Sequence, residues 1–371
     1  MERMNALIVG GGIVGLAIGR ALSGCMDGVA VVEKEFKFGQ HTSSRNSEVI
    51  HSGIYYPPGS LKARLCTRGN TLLYDFLQHH QIPHRRCGKI VVAVTPDETP
   101  RLVQLKENGQ RNQVRGLRLH TAKDISKMAP LVRCDRGLFV PSAGILDTHR
   151  LMQVLEILIE KQGGMIAYHT EVTGIERTPR GYRVTFSDTE KIETRMLINS
   201  AGLFSDRVAR MGGLDTDKLG LRLYWGKGEY YKTPRIRNAN HLIYPLPPPS
   251  SRSLGIHLTC NLAGETRFGP NLFYTRTLDY SFDESYREEF HEAINRYIEV
   301  SREELAPDET GIRPKLQGPR DPFRDFYIQE ETPNGLPGLV NLIGIESPGI
   351  TAALAIAEMV KQLLKNSQAG N

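Results

Sequence analysis

Apolar and polar positions follow two different periods along this chain. Ala6–Val9 is a short apolar run that reads as a buried strand. Gly10, Gly12 and Gly15 follow, and Ile13, Leu16, Ala17 and Ala21 then recur at helical spacing. A second apolar run, GVAVVEK, ends at Glu33. Farther on, 165–169, 172–178 and 181–187 read as short strands. A buried strand near 195–199 is stopped by Asn199-Ser200-Ala201-Gly202. Near the C-terminus a strand at 341–345 runs into Glu346-Ser347-Pro348-Gly349, and an apolar helix starts around Ile350-Thr351. GEYYKT, HLIYPL and SLGIHLT alternate like strands, 283–299 reads as a charged helix, and PLPPPSS (245–251) as a proline-rich turn between strands.

The opening strand, glycine turn, helix and second strand form a βαβ unit built for a dinucleotide. Gly10 allows the tight turn, Gly12 lets a pyrophosphate approach the backbone, and Gly15 lets the helix pack on the strand. The helix start presents unpaired N–H groups and its positive dipole end to phosphate. Glu33 ends the second strand, where a carboxylate receives ribose hydroxyls. An acid there, in place of an arginine, disfavours NADP. NAD and FAD both fit this unit.

Composition narrows the class. The 371 residues exceed one ordinary core, so two lobes are expected, and 40% hydrophobic with 24% charged residues is a globular balance. The net charge of +6 comes from 47 Lys+Arg against 41 Asp+Glu, without a run of five like charges. That argues against nucleic acid as a partner and suits an acidic small molecule or contact with an anionic membrane surface. The five cysteines are dispersed and lack a C-x-x-C pair, so neither a disulfide framework nor a metal site is expected, and a reducing compartment, the cytoplasm, is. The apolar residues 6–18 after Arg3 mimic a signal peptide, but the glycine fingerprint accounts for them. No uninterrupted apolar stretch reaches the length of a membrane span, so no integral membrane segment is expected.

One stretch fits none of these periods. SRNSEVIHSGIYYPPGS (44–60) sets His51, Ser52 and Gly53 before two tyrosines and two prolines. With the fingerprint, the small-residue stop at Ala201-Gly202 and the C-terminal strand-to-helix turn, it makes the chain resemble the FAD-dependent oxidoreductases of the D-amino acid oxidase superfamily. Within it, NSEVIHSGIYY, SLKARLC, GKIVVA, INSAGLFSDRVA, LIYPLP, LGIHLT and FGPN resemble L-2-hydroxyglutarate dehydrogenases and oxidases. GIESPGIT and YWGKGEYY depart from the APSPAAT-like and PFRGEYY-like forms of that group.

The resemblance implies an α/β fold. A Rossmann-like FAD-binding domain (1–82, 142–218 and 308–371) is expected to interleave with an antiparallel-sheet, α+β substrate lobe (83–141 and 219–307), with the active site between lobes. FAD would be held by Gly10, Gly12, Ile13, Val14, Gly15, Glu33 and Lys34, then by Thr42, Ser43, Ser44, Asn46 and Ser47 at the flavin's polar edge. Val172, Ala201, Gly202 and Asp206 would follow, and Gly344, Ser347, Pro348, Gly349, Ile350 and Thr351 at the last turn. His51 and His257 are the expected proton acceptors, because a neutral histidine suits removal of a hydroxyl proton. Arg313, in GIRPKL, is the expected carboxylate clamp, its backbone kept extended by Pro314. Tyr55, Tyr56 and Tyr244 would wall the substrate site. Lys227 and Arg267, and more weakly Lys315, would offer charge to a second carboxylate, and Trp225 could line the site or the core. The implied reaction oxidises a 2-hydroxy acid, with quinone or oxygen as acceptor and, for quinone, peripheral membrane contact. Amino acid or glycerol 3-phosphate oxidation and a non-catalytic FAD protein are the alternatives.

Overall fold

The structure is a computed structural model that describes residues 3–247 and 255–369. Part of the proline-rich turn, 248–251, lies outside the described residues. The chain forms two units: Met1–Ser44, Thr148–Trp225 and Arg313–Asn371 make the first, Arg45–Asp147 and Gly226–Ile312 the second.

The first unit is built on a parallel sheet. Its central strands run in the order Met165–Ala167, Val29–Val32, Arg3–Val9, Lys191–Asn199 and Leu339–Ile343, all parallel. Antiparallel strands join them along the edge of Lys191–Asn199 away from Arg3–Val9: the hairpin Val172–Thr178 and Gly181–Phe186 pairs with its first half, and Tyr327–Glu330 pairs with Leu339–Ile343 beside its last residues. Burial on both faces explains why Val29–Val32 reads as an unbroken apolar run. The helix Ile13–Ser23 packs against the helices Thr148–Lys161 and Gly349–Ala369. A buried polar network ties two strand ends together. Asn199 Nδ2 donates to Asn341 Oδ1 (2.8 Å) and to the Ser205 carbonyl (2.7 Å), and Asn341 Nδ2 donates to Glu331 Oε1 (2.9 Å).

Most of a nine-stranded sheet among the described residues belongs to the second unit, its strands including Lys89–Ala93, Tyr224–Arg237 from Gly226 on, Leu242–Pro245, His257–Cys260 and Ala306–Lys315 up to Ile312. Its recorded registers are antiparallel with one exception: Leu242–Pro245 runs parallel to Lys89–Ala93. The lobe is thus the expected antiparallel sheet with one parallel pair, whose strands come from different stretches of chain and are not joined by a hairpin. A three-stranded sheet pairs Val49–Ile50 and His84–Arg85 with Gly144–Leu146.

The first crossing between units falls at Ser44–Arg45, well before the boundary expected at 82. The reason is packing. Val49, Ile54 and Val91 share one core cluster with Leu138 and Tyr244, and Asn70 of the helix Leu61–His79 donates to the Ser142 carbonyl at 2.9 Å. Arg313, expected to be extended ahead of Pro314, lies within the strand Ala306–Lys315. Among the described residues no helix is long and apolar enough to cross a membrane, and no cluster of His, Cys, Asp or Glu could hold a metal ion.

Candidate active site

In the first unit, the turn after Arg3–Val9 is shaped by backbone. Gly10 adopts φ +106°, and a Cβ there would sit 2.6 Å from the Ser200 carbonyl oxygen. A Cβ on Gly15 would meet the Gly10 carbonyl oxygen at 1.9 Å, so only glycine lets the helix leave the strand at this angle. The helix has Gly12 as N-cap, without a side-chain cap. Ser43 Oγ accepts from Ile13 N (3.1 Å), whereas the Gly12 and Val14 amides have no acceptor among the described residues. Open first-turn amides and a glycine-narrowed approach fit a pyrophosphate. Glu33 is buried and accepts from Gly11 N (2.7 Å) and Glu35 N (3.0 Å), which fixes its carboxylate while lone pairs remain for ribose hydroxyls. FAD therefore fits this cradle.

The other expected cofactor residues are spread over both units. Lys34 pairs with Glu35 at 2.9 Å and lies over the Phe204 ring. Thr42 is half-buried, and Ser44 donates to the Gly39 carbonyl. Asn46 and Ser47 belong to the second unit, where Ser47 Oγ meets Tyr230 Oη at 2.9 Å. Val172 opens its hairpin inside an apolar cluster. Ala201 N donates to Asn199 Oδ1 (3.3 Å), Gly202 is left-handed at φ +54°, and Asp206 Oδ2 accepts from Leu223 N (3.2 Å). Gly344 is left-handed with Leu316 2.6 Å from where a Cβ would stand. Ser347, Pro348, Gly349, Ile350 and Thr351 then enter the last helix, with Thr351 fully buried. Trp225 Nε1 donates to the Leu203 carbonyl (3.0 Å).

In the second unit a group of titratable and aromatic side chains converges. His257 is 4% exposed, stacks on Tyr244 with centroids 3.8 Å apart, and its Nδ1 lies 3.0 Å from the Gly255 carbonyl. A carbonyl can only accept, so Nδ1 carries the proton and Nε2 is the acceptor nitrogen. Lys89 Nζ lies 3.7 Å from the Tyr244 centroid and 5.5 Å from that of Tyr55. One face of Tyr244 is taken by His257, so the ammonium occupies the other. Burial, and then the charges of Lys89 and His257, hold the His51 imidazole well below its ordinary pKa. His51 is therefore a neutral base at neutral pH.

The loop carrying His51 is pinned by three asparagines. Asn70 donates to the His51 carbonyl (2.9 Å), Asn108 to those of Ile54 and Tyr56 (2.7 and 2.9 Å), and Asn112 to those of Gly53 and Tyr56 (2.9 and 2.8 Å). Gly53 is left-handed at φ +93°, with Thr67 2.8 Å from where a Cβ would stand. Tyr56 is half-buried. The Tyr55 hydroxyl is buried without a hydrogen-bond partner among the described residues.

The cations expected to receive a second carboxylate are matched by the chain's own acids instead. Lys227 Nζ lies 3.8 Å from Glu229 and 3.7 Å from Asp279. Arg267 pairs with Asp308 (3.2 Å) and Glu309 (2.8 Å). In the first unit Lys315 donates to both oxygens of Glu346 (2.9 and 2.8 Å). Arg313 is half-buried in its strand. Sequence reasoning missed Lys89 and the three asparagines. The signal for Lys89 was a lone lysine opening the apolar run KIVVA, every residue of which is buried.

Residues 5–363 match the family of FAD dependent oxidoreductases, and the chain belongs to that family. It is an FAD-dependent oxidoreductase, and its cofactor is FAD. Among individual proteins, it is 36% identical to the mitochondrial L-2-hydroxyglutarate dehydrogenase of Arabidopsis thaliana, over 97% of this chain and 83% of that protein. It is 33% identical to the enzyme of the same name from Caenorhabditis elegans, over 97% and 93%. In fold it is similar to the dithionite-reduced, FAD-bound L-alpha-glycerophosphate oxidase of Mycoplasma pneumoniae, with a TM-score of 0.87, 24% identity and coverage of 98% of this chain and 95% of that one.

Proposed function

We propose that this protein oxidises the C2 hydroxyl of a 2-hydroxy acid, L-2-hydroxyglutarate, to give 2-oxoglutarate. The observation that carries the reading is similarity to two L-2-hydroxyglutarate dehydrogenases across 97% of the chain. The buried group around His51 and His257 supports it, because such an oxidation needs a neutral base in a dry site.

FAD, held by the glycine turn and Glu33, would supply the two-electron acceptor for the C2 hydride, at flavin N5. The chain's task is to bind and orient the acid, exclude water and remove the hydroxyl proton. His51, kept neutral by burial, takes that proton, and His257 offers Nε2 as a second acceptor. Arg313 holds the carboxylate next to C2 as a two-pronged donor. Tyr55, Tyr56 and Tyr244 shape an apolar wall. The acceptor that reoxidises the enzyme is a quinone or oxygen, and we assign the enzyme to the cytoplasm, with peripheral membrane contact in the quinone case.

The purified protein should show a flavin spectrum that bleaches when L-2-hydroxyglutarate is added without oxygen. Bleaching by an amino acid or glycerol 3-phosphate in its place would move the substrate. A spectrum that no substrate bleaches would leave a non-catalytic FAD protein. Return of colour with air, or only with a quinone, separates the acceptors.

A further inference from the structure

We infer that Lys89 is the specificity-determining cation of the substrate site: its ammonium receives the carboxylate remote from C2, with the Tyr55 hydroxyl as a second donor. The inference rests on the reading above in taking the substrate to be a dicarboxylate.

The charge balance around Lys89 carries it. The side chain is 1% exposed, and no hydrogen bond or ion pair to Nζ is recorded among the described residues. Its neighbours are the Tyr55 and Tyr244 rings, the His51 imidazole and the Cys66 and Cys87 thiols, with no carboxylate among them. Three other buried or half-buried cations behave differently: Lys227, Arg267 and Lys315 each face acids of the chain. An enclosed cation normally comes with an anion, since its lost hydration is otherwise uncompensated. Aromatic faces recover only part of that loss.

A second, independent observation comes from Tyr55, whose ring lies 5.5 Å from Nζ. Its hydroxyl is buried and has no hydrogen-bond partner among the described residues, so it is open to a ligand oxygen. One cation and one neutral donor match the two oxygens of a carboxylate. Both residues sit with the candidate bases His51 and His257 in the second unit. Burial pulls the Lys89 pKa down to about 7, which reflects how poorly the empty site holds the charge that a carboxylate would stabilise. A monocarboxylic 2-hydroxy acid would leave this cation unmatched, so the site discriminates by what such a substrate lacks.

The test uses the oxidised, FAD-loaded full chain with glutarate, a dicarboxylate without a hydroxyl to oxidise, and butyrate as the monocarboxylate. Both are titrated by calorimetry at pH 6.5. The unaltered protein should bind glutarate at least about tenfold more tightly than butyrate. Lys89→Met, which keeps the apolar stem, should weaken glutarate by roughly 100-fold and butyrate by less than about threefold. Tyr55→Phe should weaken glutarate about three- to tenfold with butyrate unchanged, and it decides the matter if Lys89→Met fails to fold. Unchanged glutarate affinity, or equal loss of both ligands, would overturn the assignment. Lys89-dependent glutarate binding in a protein that L-2-hydroxyglutarate does not reduce would overturn the proposed reaction and leave this inference standing.

Discussion

The glycine turn at residues 10–15 and the group around His51 are made of different material. The turn is backbone. Its working parts are amides, a carbonyl at Gly10 and the absence of Cβ atoms, all from one contiguous stretch. The group around His51 is side chain. Its members come from residues 51–56, the strand Lys89–Ala93, the strand Leu242–Pro245 and the strand His257–Cys260, and asparagines from two helices hold the loop. A site made of backbone tolerates no added atom, whereas a site made of side chains tolerates truncation at a graded cost.

The largest expected effect tests the first half of that contrast. Gly15→Ala places a carbon 1.9 Å from the Gly10 carbonyl oxygen, so the helix must shift. The protein should lose nearly all bound FAD, read from the ratio of 450 to 280 nm absorbance, and on the order of 3 kcal/mol of stability. Full FAD content would mean that the turn is not the cradle. Next, His51→Asn should keep the flavin spectrum and lower the anaerobic reduction rate roughly 100- to 10,000-fold. A rate within threefold of the parent would pass the base role to His257.

A smaller effect separates holding from reacting. Asn70→Ala removes the donor to the His51 and Ser142 carbonyls, leaving two buried acceptors short of a bond at about 1–3 kcal/mol. Reduction should slow about tenfold through kcat with KM little changed, since the base is displaced while the carboxylate contacts remain. A KM effect alone would remove Asn70 from the positioning of His51.

The smallest effect concerns pH. Lys89 titrates near 7 in the empty site, and a bound carboxylate favours its charged form, so binding takes up a proton above that pH. Glutarate affinity should therefore fall by up to about tenfold per unit as pH rises from 7 to 9. Of the other groups facing it, His51 is held well below its ordinary value, and Tyr55, Tyr244, Cys66 and Cys87 are pushed upward, so each stays neutral in that window. In the empty protein the sign reverses for folding. The unfolded chain binds the lysine proton up to its ordinary 10.5, so Lys89 lends stability as pH rises through that window.

Local order alone made the opening βαβ unit, its dinucleotide turn and Glu33 legible, because strand, turn and helix periods are properties of neighbouring residues; the α/β fold of the whole chain came with the family resemblance. The FAD assignment came from resemblance spread along the chain, and the family match over 5–363 carries it now. Tertiary structure decided what neighbours cannot encode. It gave Lys227, Arg267 and Lys315 their acids, and it left Lys89 between two tyrosines without one. It also moved 45–82 into the second unit, where Val49–Ile50 pairs with Gly144–Leu146. The physical reason is the same in each case: a period repeats every two or four residues and is visible locally, whereas the partner of a charge is chosen by which distant strand the fold lays beside it.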